Sequence, residues 1–256
     1  MWPFTKYYSI LDSGFLEGAT DWHCHILPGV DDGIRTMESA LEVLDYYHEI
    51  GIREVWLTPH IMEDVPNEPA ALQARFQEFR AAYAAEHEGQ MPIRLHLAAE
   101  NMIDTLFDHR FEQRKLLTIG GHETIPGAEG GDMLLVETSY FSPPMAFEDT
   151  LDEIRMKGQH PLLAHPERSV YMGRRDYKRL KEAGIRFQLN LMSLVGMYGD
   201  TAAEKASNLL LDGMYDYAGS DLHRLSPWQQ AISDPALTKK EIAALLDLRS
   251  RMDSER

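Results

Sequence analysis

Short apolar runs alternate with longer amphipathic stretches along most of the chain. Residues 54–57, 133–136 and 161–164 have the length and composition of buried strands. Between such runs, apolar residues recur at helical spacing, as Met37 and Leu41 do. The alternation repeats about seven times, which is typical of parallel βα units. We therefore predict an α/β fold with a closed or nearly closed, distorted barrel. A doubly wound open sheet is the alternative.

The same pattern gives approximate bounds for the elements. The first strand is predicted to end near residue 25, and further strands cover residues 54–57, 93–98, 133–136, 161–164 and 185–189, while residues 217–219 lead into the last polar cluster. Helices are predicted between the Thr36 cap and the Gly51 stop, and over residues 66–88, 104–117, 147–157, 177–183, 201–211 and 239–251. A short β element with a glycine turn is predicted over residues 118–126. No composition break divides the chain, so we expect an N-terminal extension over residues 1–18 and a single domain over residues 19–256.

Two histidines separated by one residue lie at the end of the first predicted strand. His23 and His25 would point to the same face of that strand. Pro28 and Gly29 end the strand, and the Asp-Asp-Gly sequence at 31–33 is typical of a turn. Neutral imidazole and carboxylate oxygen are ligands of divalent metals. Taken alone, the segment fits a buried strand with a solvated turn equally well.

Imidazole and carboxylate side chains recur at the ends of the later predicted strands. The carboxyl ends of parallel strands meet at one rim of a barrel, so we expect these side chains to converge there. The candidate metal ligands are His23, His25, Asp32, His60, Glu100, Glu137, His165, Asp221 and His223. For single members the alternatives are a rim carboxylate, a satisfied core histidine or a solvated turn. The remaining histidines, most of them in predicted helices or loops, are expected to lie outside the site: His48, His87, His96, His109, His122 and His160.

The chain is strongly acidic. Its 256 residues include 25 Lys and Arg against 41 Asp and Glu, which gives a formal net charge of −16. Such a surface repels phosphate backbones and argues against general binding of nucleic acid. The N-terminus lacks the pattern of a signal peptide, and no segment approaches the ~20 apolar residues that span a bilayer. With Cys24 as the sole cysteine, these features predict a cytoplasmic protein without membrane insertion.

Seven motifs appear in order between residues 21 and 223. They are DWHCHILPGVDDG at 21–33, TPH at 58–60, AE at 99–100, LVE at 135–137, AHPER at 164–168, NLMSLVGMYG at 190–199 and SDLH at 220–223. Together they resemble the polymerase-and-histidinol-phosphatase (PHP) superfamily. Within it, they are most similar to the metal-dependent protein tyrosine phosphatases of bacterial capsule and exopolysaccharide loci.

The resemblance implies a fold and a ligand set. The implied fold is a distorted (β/α)₇ barrel, similar to a TIM barrel. The nine candidate ligands would hold three divalent metal ions, usually manganese, iron or zinc. Arg168 of the AHPER motif is implied as a phosphate contact. Family members often carry a second arginine a few residues after the last histidine, and Arg224 is the nearest candidate in this chain.

The implied function is the hydrolysis of phosphotyrosine in proteins, and the implied partner is a bacterial tyrosine autokinase. We expect a metal-bound hydroxide to attack phosphorus, with Arg168, Asp32 and His60 as catalytic residues. Three divalent ions would more than offset the four carboxylates, which makes a locally positive site on an acidic protein. The alternatives are a phosphatase of a small metabolite such as histidinol phosphate, a phosphodiesterase, and a non-catalytic, metal-stabilised regulatory protein.

Cys24 is not expected to be a nucleophile. A thiol phosphatase needs a cysteine and an arginine separated by five residues, and the sixth residue after Cys24 is Val30. We expect Cys24→Ser to keep most of the activity. Loss of turnover in this variant without loss of metal would contradict a metal-dependent mechanism.

Overall fold

Parallel strands form the centre of the protein in the computed structural model, which describes residues 6–120 and 132–254. The strands are β1 (Thr20–Cys24), β2 (Glu54–Leu57), β3 (His60–Ile61), β4 (Arg94–Leu97), β5 (Glu100–Met102), β6 (Met133–Glu137), β7 (His160–Ala164), β8 (Arg186–Asn190) and β9 (Tyr217–Gly219). Every pairing between these strands is parallel. The parallel sheet predicted from the alternating apolar runs is therefore confirmed.

Two strand positions are each built from two segments. β2 pairs with β1 and β4, and after a short break β3 continues beside β5. The sheet then runs from β5 through β6, β7 and β8 to β9. Among the described residues, the nine segments thus occupy seven strand positions around the barrel. The breaks in the second and third positions put His60 and Glu100 side by side in register.

The first and last strands close the barrel. The backbone N–H of His25 donates to the carbonyl of Leu222 over 3.0 Å, and that of Asp221 donates to the carbonyl of His23 over 2.8 Å. Because β1 and β9 are joined in this way, the strands do not form an open, doubly wound sheet. The predicted distorted seven-stranded barrel is confirmed.

Buried side chains support the seam between β1 and β9. The carboxylate of Asp21 accepts hydrogen bonds from Ser220 Oγ over 2.7 Å, from the Ser220 backbone N–H over 2.8 Å, and from Tyr47 Oη over 2.8 Å. Burial raises the pKa of Asp21, although these hydrogen bonds oppose the shift. One buried carboxylate thus joins the two ends of the sheet, and hydroxyl and backbone donors satisfy its oxygen atoms.

Helices lie between the strands along the chain. They are α1 (Met37–Glu49), α2 (Pro69–Glu86), α3 (Phe107–Glu112), α4 (Phe147–Met156), α5 (Arg174–Glu182), α6 (Leu191–Leu194), α7 (Asp200–Leu211), α8 (Leu225–Ser233) and α9 (Lys239–Ser254). α1 begins at the predicted cap, where the Ser39 N–H donates to Thr36 Oγ1 over 3.2 Å. It ends at the predicted stop, where Gly51 adopts a φ of +101° that favours glycine.

The strands are covered on both faces. All five residues of β6 are buried, as expected of a parallel strand with the barrel interior on one side and helices on the other. α4 packs against β7 and buries Leu151 and Ile154. The barrel interior and the helical layer thus leave the carboxyl ends of the strands as the place where polar side chains can gather.

Four elements were not predicted. β3 and β5 are short continuations after breaks, and α6 spans only Leu191–Leu194 within the predicted loop. α8 follows the last polar cluster, and its Pro227 lies in the first turn, where proline is tolerated. α5 begins three residues earlier than the predicted residue 177. These errors concern lengths and connections and leave the order of strands unchanged.

The segment before β1 packs on the barrel where it is described. Tyr8 donates from its backbone N–H to the carbonyl of Leu237 over 2.8 Å, and Ile10, Phe15 and Leu16 are buried. The boundary between an extension and a domain at residues 18 and 19 stays a prediction. Of the predicted β element at 118–126, Ile119 pairs antiparallel with Met133, and residues 121–126 lie outside the described residues, as does His122. Within the described residues, no helix combines the length and apolar character needed to cross a bilayer.

Candidate metal centre

The structure brings all nine predicted ligands to the carboxyl rim of the barrel. Each lies in or directly after a strand, or in the loop that follows β1: His23, His25 and Asp32 from the first strand and its loop, His60 from β3, Glu100 from β5, Glu137 from β6, His165 after β7, and Asp221 and His223 after β9. Their convergence comes from the parallel topology, since the segments are far apart in the chain.

The innermost group consists of His23, His25, Glu100 and Asp221, all of them buried. The Nε2 atoms of the two histidines are 3.2 Å apart. Glu100 Oε2 lies 3.2 Å from His23 Nε2 and 3.3 Å from His25 Nε2. Asp221 Oδ1 lies 3.5 Å and 3.3 Å from the same two atoms. Four donor atoms thus face one point, as the ligands of a metal ion do.

A second group shares Glu100 with the first. His60 Nδ1 is 3.1 Å from Glu100 Oε2 and 3.1 Å from Glu137 Oε1. Both His60 Nδ1 and Glu137 Oε1 are buried, and neither has a hydrogen-bond partner in the described part of the chain. A buried polar atom without a partner is costly, so these two atoms indicate that a cation belongs between them. The residues present therefore fit the divalent ions implied by the sequence.

A third group lies nearer to the solvent. It contains His25, Asp32, His60 and His223. Asp32 Oδ1 is 3.5 Å from His60 Nε2 and 3.4 Å from His223 Nε2, and the Asp32 side chain is 70% exposed. His165 belongs to none of the three groups, but its Nε2 lies 2.8 Å from Glu100 Oε1. The carboxylate of Glu100 therefore contacts several imidazoles at once.

Two buried side chains that are not among the predicted site residues orient the first histidine pair. Asp31 was taken only as part of a turn, but its Oδ2 lies 2.8 Å from His25 Nδ1 and also accepts the His60 backbone N–H over 3.1 Å. Gln188 Oε1 lies 3.0 Å from His23 Nδ1. With Nδ1 donating outward, each ring presents the lone pair of Nε2 to the ligand cluster. A glutamine between Phe187 and Leu189 in the buried part of β8 was the signal available in the sequence.

Charges within the cluster are strongly coupled. Burial disfavours a charged His23, but the carboxylates of Glu100 and Asp221 outweigh it and raise the pKa of His23 to about 9. A hydrogen bond from His223 lowers the pKa of Asp32 to about 2. Metal binding at such a site displaces protons from the imidazoles and leaves the carboxylates ionised.

Close backbone packing holds the histidines in place. A Cβ atom at Gly219 would collide with the Cβ of His23, and one at Gly33 would collide with the carbonyl oxygen and Cβ of His25. His165 and Asp221 have φ values of +32° and +50°, a left-handed conformation that is rare for such residues. Backbone strain of this kind persists where surrounding contacts determine it, and it is often found at functional sites.

Arg168 lies between two tyrosine rings at the edge of the cluster. Its Cζ is 4.1 Å from the centroid of Tyr140 and 3.9 Å from that of Tyr198. Its Nη1 donates to Asp221 Oδ2 over 3.1 Å. Among the described residues, no hydrogen bond uses its Nε or Nη2. The stacked guanidinium therefore keeps donors available for an anion such as a phosphoryl group.

The cluster opens into a cavity of about 390 Å³. Its walls include Arg168, Arg224 and His60, together with apolar surface from Trp228 and Met192. This volume is in the usual range for small-molecule sites. Arg224 is exposed at the mouth, where the sequence analysis expected a second phosphate contact. Its role and that of Arg168 remain predictions.

Comparison with known proteins gives the family. The model for the family described as capsular polysaccharide synthesis, CpsB/CapC, matches residues 19–240. The chain belongs to this family.

Relatives of this CpsB/CapC protein include two from bacteria. The tyrosine-protein phosphatase YwqE of Bacillus subtilis is 26% identical over 208 residues, which cover 80% of this chain and 77% of YwqE. CapC of Staphylococcus aureus is 23% identical over 209 residues, with the same coverage of 80% and 77%.

Solved structures agree with the fold of the CpsB/CapC protein. A crystal structure from work on YwqE of Bacillus subtilis and CpsB of Streptococcus pneumoniae, described as metal-dependent tyrosine phosphatases, matches with a TM-score of 0.74 and 22% identity. The match covers 93% of this chain and 96% of that chain. A mutant organophosphorus hydrolase matches with a TM-score of 0.51 and 14% identity over 96% of each chain. At these identities the matches show the fold.

Cys24 of this CpsB/CapC protein is buried away from the ligand cluster. Strand alternation turns its thiol to the opposite face from His23 and His25, and its Sγ lies 3.5 Å from the carbonyl of Trp56. Burial raises the pKa of the thiol well above its usual value. A buried, protonated thiol is a poor nucleophile, which agrees with the expectation from the sequence.

Several of the remaining histidines have partners elsewhere in the CpsB/CapC fold. His96 Nε2 is 2.8 Å from Glu54 Oε1, and His87 Nε2 is 3.0 Å from Asp45 Oδ1. His48 lies next to Arg53. In the described ranges, none of the histidines expected to lie outside the site belongs to the three ligand groups.

Proposed function

We propose that this protein is a metal-dependent phosphotyrosine-protein phosphatase that acts in capsular or exopolysaccharide synthesis. One observation carries the proposal: buried Glu100 joins two groups of metal-type ligands, and a stacked arginine with available donors lies at their edge. Membership of the CpsB/CapC family and the likeness to YwqE support the substrate class and the process. Structural likeness at low identity supports the fold that arranges these residues.

The proposed cofactor is a set of three divalent metal ions, drawn from manganese, iron and zinc. Eight of the nine clustered residues would hold them in the three overlapping groups, and His165, next to Glu100, completes the proposed ligand set. Their imidazole and carboxylate donors suit these metals. When bound, divalent ions lower the pKa of coordinated water and withdraw charge from phosphoryl oxygens.

The side chains around the cluster have separate tasks in this proposal. Arg168 binds the phosphoryl group through Nε and Nη2 and is kept from turning away by Tyr140 and Tyr198. Asp32 and His60, at the solvent side of the cluster, hold or move a proton next to the bound phosphate. A tyrosine leaving group has a parent pKa of ~10, so it departs without a dedicated acid more readily than a serine alkoxide.

The proposed partner is a bacterial tyrosine autokinase of the same locus. Its phosphorylated tyrosines would enter the cavity of about 390 Å³ between Arg168 and Trp228. We place the reaction in the cytoplasm, a reducing compartment that suits a chain with Cys24 as its sole cysteine. Arg224 at the mouth is proposed as a second contact for the phosphate.

Elemental analysis and hydrolysis assays on one preparation test the proposed function. We expect bound transition metal, hydrolysis of phosphotyrosine peptides, loss of activity on chelation, and recovery when manganese is returned. Phosphoserine peptides and histidinol phosphate, assayed at the same metal concentration, should be poor substrates. Preferred hydrolysis of histidinol phosphate would favour the metabolite phosphatase, and bound metal without hydrolysis of p-nitrophenyl phosphate would favour the regulatory protein.

A further inference from the structure

Exposed apolar side chains are concentrated beside the mouth of the cavity. Half of the ten large apolar residues exposed in the described chain come from the loops that follow β6, β7 and β8. Among them, Phe141 is 79% exposed, Val170 is 61% exposed and Met197 is 51% exposed. We call these three residues the apolar rim. Exposed apolar residues scattered singly need no explanation, but a group at the edge of a site indicates a binding surface.

Contacts with the Arg168 stack place the apolar rim next to the cavity. Phe141 directly follows Tyr140, and Met197 directly precedes Tyr198, and these are the two tyrosines whose rings enclose Arg168. The Val170 N–H donates to the carbonyl of Tyr140 over 2.8 Å, so the loops after β6 and β7 run side by side. The rim thus borders the phosphate-binding end of the site.

A groove continues outward from the apolar rim. It has a volume of about 400 Å³ and is lined on its apolar side by Pro143, Pro144, Phe147, Tyr171, Met172 and Leu180. Tyr171 follows Val170 in the chain and lines the groove, and its hydroxyl is 2.7 Å from Thr138 Oγ1. Because the loops after β6 and β7 contribute to both the rim and the groove, we expect one extended segment, at ~3.3 Å per residue, to reach both.

The charges of the groove limit what it can accept. Among the residues that the structure describes, its walls include Glu148, Asp149 and Asp176 against one lysine or arginine, Arg179. Arg179 is already paired, with Glu148 Oε1 at 2.8 Å and Asp176 Oδ1 at 2.9 Å. An acidic flanking segment would therefore be repelled, whereas an uncharged apolar side chain can leave water for the groove without breaking these pairs.

We infer that the apolar rim and the groove bind the polypeptide on one side of a phosphotyrosine. The substrate is then a protein segment with an apolar, non-acidic flank, and the phosphorylated ring enters the cavity while a neighbouring apolar side chain enters the groove. This inference rests on the proposed function, because it assumes that a phosphotyrosine occupies the cavity. A small phosphate ester would reach the cavity and make no use of either surface.

Matched phosphopeptides test the inference with the metal-loaded, full-length protein. Three phosphotyrosine peptides differ only in their flank, which carries leucine, serine or glutamate. We expect the leucine peptide to have a KM about tenfold below that of the serine peptide, or about 1.4 kcal/mol, and the glutamate peptide to have the highest KM. Equal KM values for all three peptides would overturn the inference.

Variants of the apolar rim test whether these residues cause the preference for the leucine peptide. Phe141→Ser combined with Val170→Ser should raise the KM of the leucine peptide to that of the serine peptide and leave p-nitrophenyl phosphate hydrolysis within about twofold. Met156→Ser is the matched control, since Met156 is 87% exposed on α4 and lines neither the cavity nor the groove. An equal loss with p-nitrophenyl phosphate, or a preference that survives in the rim variant, would overturn the inference.

Two further measurements separate this inference from its alternatives. Sedimentation of wild type and rim variant shows whether the rim joins two copies of the chain, and a change from dimer to monomer in the variant would contradict substrate binding there. If the metal-loaded wild type hydrolyses no phosphotyrosine compound, the proposed function fails. In that case, fluorescence anisotropy of a labelled leucine phosphopeptide would still measure its binding to the rim. Equal peptide affinities of wild type and rim variant would overturn the inference independently of the proposed function.

Discussion

At the scale of single residues, the orientation of the imidazoles decides what the cluster can bind. His25 and His23 face each other through Nε2 because Asp31 and Gln188 hold their Nδ1 atoms. Without these partners either ring could turn over and present a donor in place of a lone pair. The two orienting residues are therefore expected to matter for metal affinity although neither faces the proposed ions.

Asp31→Ala should weaken metal binding about 10–100-fold, because His25 loses the acceptor that fixes its tautomer. Competition with a chelating dye measures the affinity. Asp45→Ala is the control, since Asp45 also pairs with a histidine, His87, but at a distance from the cluster. Equal metal affinities in wild type and Asp31→Ala would show that His25 does not need Asp31 to keep its orientation.

Tyr198→Leu should raise the KM for p-nitrophenyl phosphate about tenfold with a smaller change in kcat, because one face of the Arg168 guanidinium loses its support. Tyr198→Phe keeps the ring and should stay close to wild type. Inorganic phosphate should also inhibit Tyr198→Leu less strongly than wild type, by a similar factor. A matching loss in the phenylalanine variant would assign the effect to the hydroxyl, which lies 3.4 Å from Asp221 Oδ2.

The ligand residues could be predicted from the sequence, whereas the residues that orient them could not. All nine ligand candidates converge because each lies in or after a strand at the carboxyl rim, and strand ends can be read from apolar runs. Asp31 was missed because a turn aspartate and an orienting aspartate look alike in sequence. Gln188 was missed because its meaning depends on β8 lying beside β1 through β9, which is a tertiary relation.

At the scale of elements, a charge network joins the neighbouring strands β2 and β4. Glu54 Oε2 is 2.8 Å from Arg94 Nη2, and Glu54 Oε1 is 2.8 Å from His96 Nε2. Burial opposes ionisation of this carboxylate, but the hydrogen bonds from His96 and Arg94 outweigh it and lower the pKa of Glu54 to about 2. A carboxyl with a lowered pKa stabilises the folded state only while it is ionised.

Glu54→Gln should lower the free energy of unfolding by about 2 kcal/mol near neutral pH. The difference from wild type should be complete above about pH 5 and should shrink as the pH falls through about 2, because the unfolded carboxyl protonates first. Urea unfolding at several pH values measures it. Glu78→Gln, at a 63% exposed carboxylate, is the control and should cost under about 0.5 kcal/mol. A difference that does not change with pH would rule out the charge as its source.

Element boundaries were predictable where side-chain chemistry marks them. The cap at Thr36 and the stop at Gly51 are local signals, and α1 follows them. β3 and β5 carry no such signal, since each exists only because its neighbour continues past a break. α8 begins without a side-chain cap and carries Pro227 in its first turn, so no local signal marks its start.

At the scale of the whole molecule, the acidity of the chain and the crowded carboxylates act together. The net charge is −16, and Glu100, Glu137 and Asp221 are each buried at the rim. Cations that bind there offset repulsion that would otherwise act against the closed barrel. Metal binding should therefore contribute to folding stability as well as to catalysis.

Removing the metal should lower the thermal midpoint, since a ligand present at 100 times its Kd stabilises the folded state by about 2.7 kcal/mol. Differential scanning calorimetry before and after chelation, and after return of manganese, measures the effect. The shift should be smaller in Asp31→Ala, which binds metal less tightly at the same concentration. Identical midpoints with and without metal would contradict a structural contribution of the cations.

The seam between β1 and β9 determines when the ligand set becomes complete during synthesis of the chain. His23 and His25 are made early during translation, whereas Asp221, their partner across the seam, is made late. A nascent chain still missing residues 219–223 has neither the closing strand nor the innermost ligand set. Copies that end before residue 219 are therefore expected to lack phosphatase activity, because β1 has no closing strand to pair with.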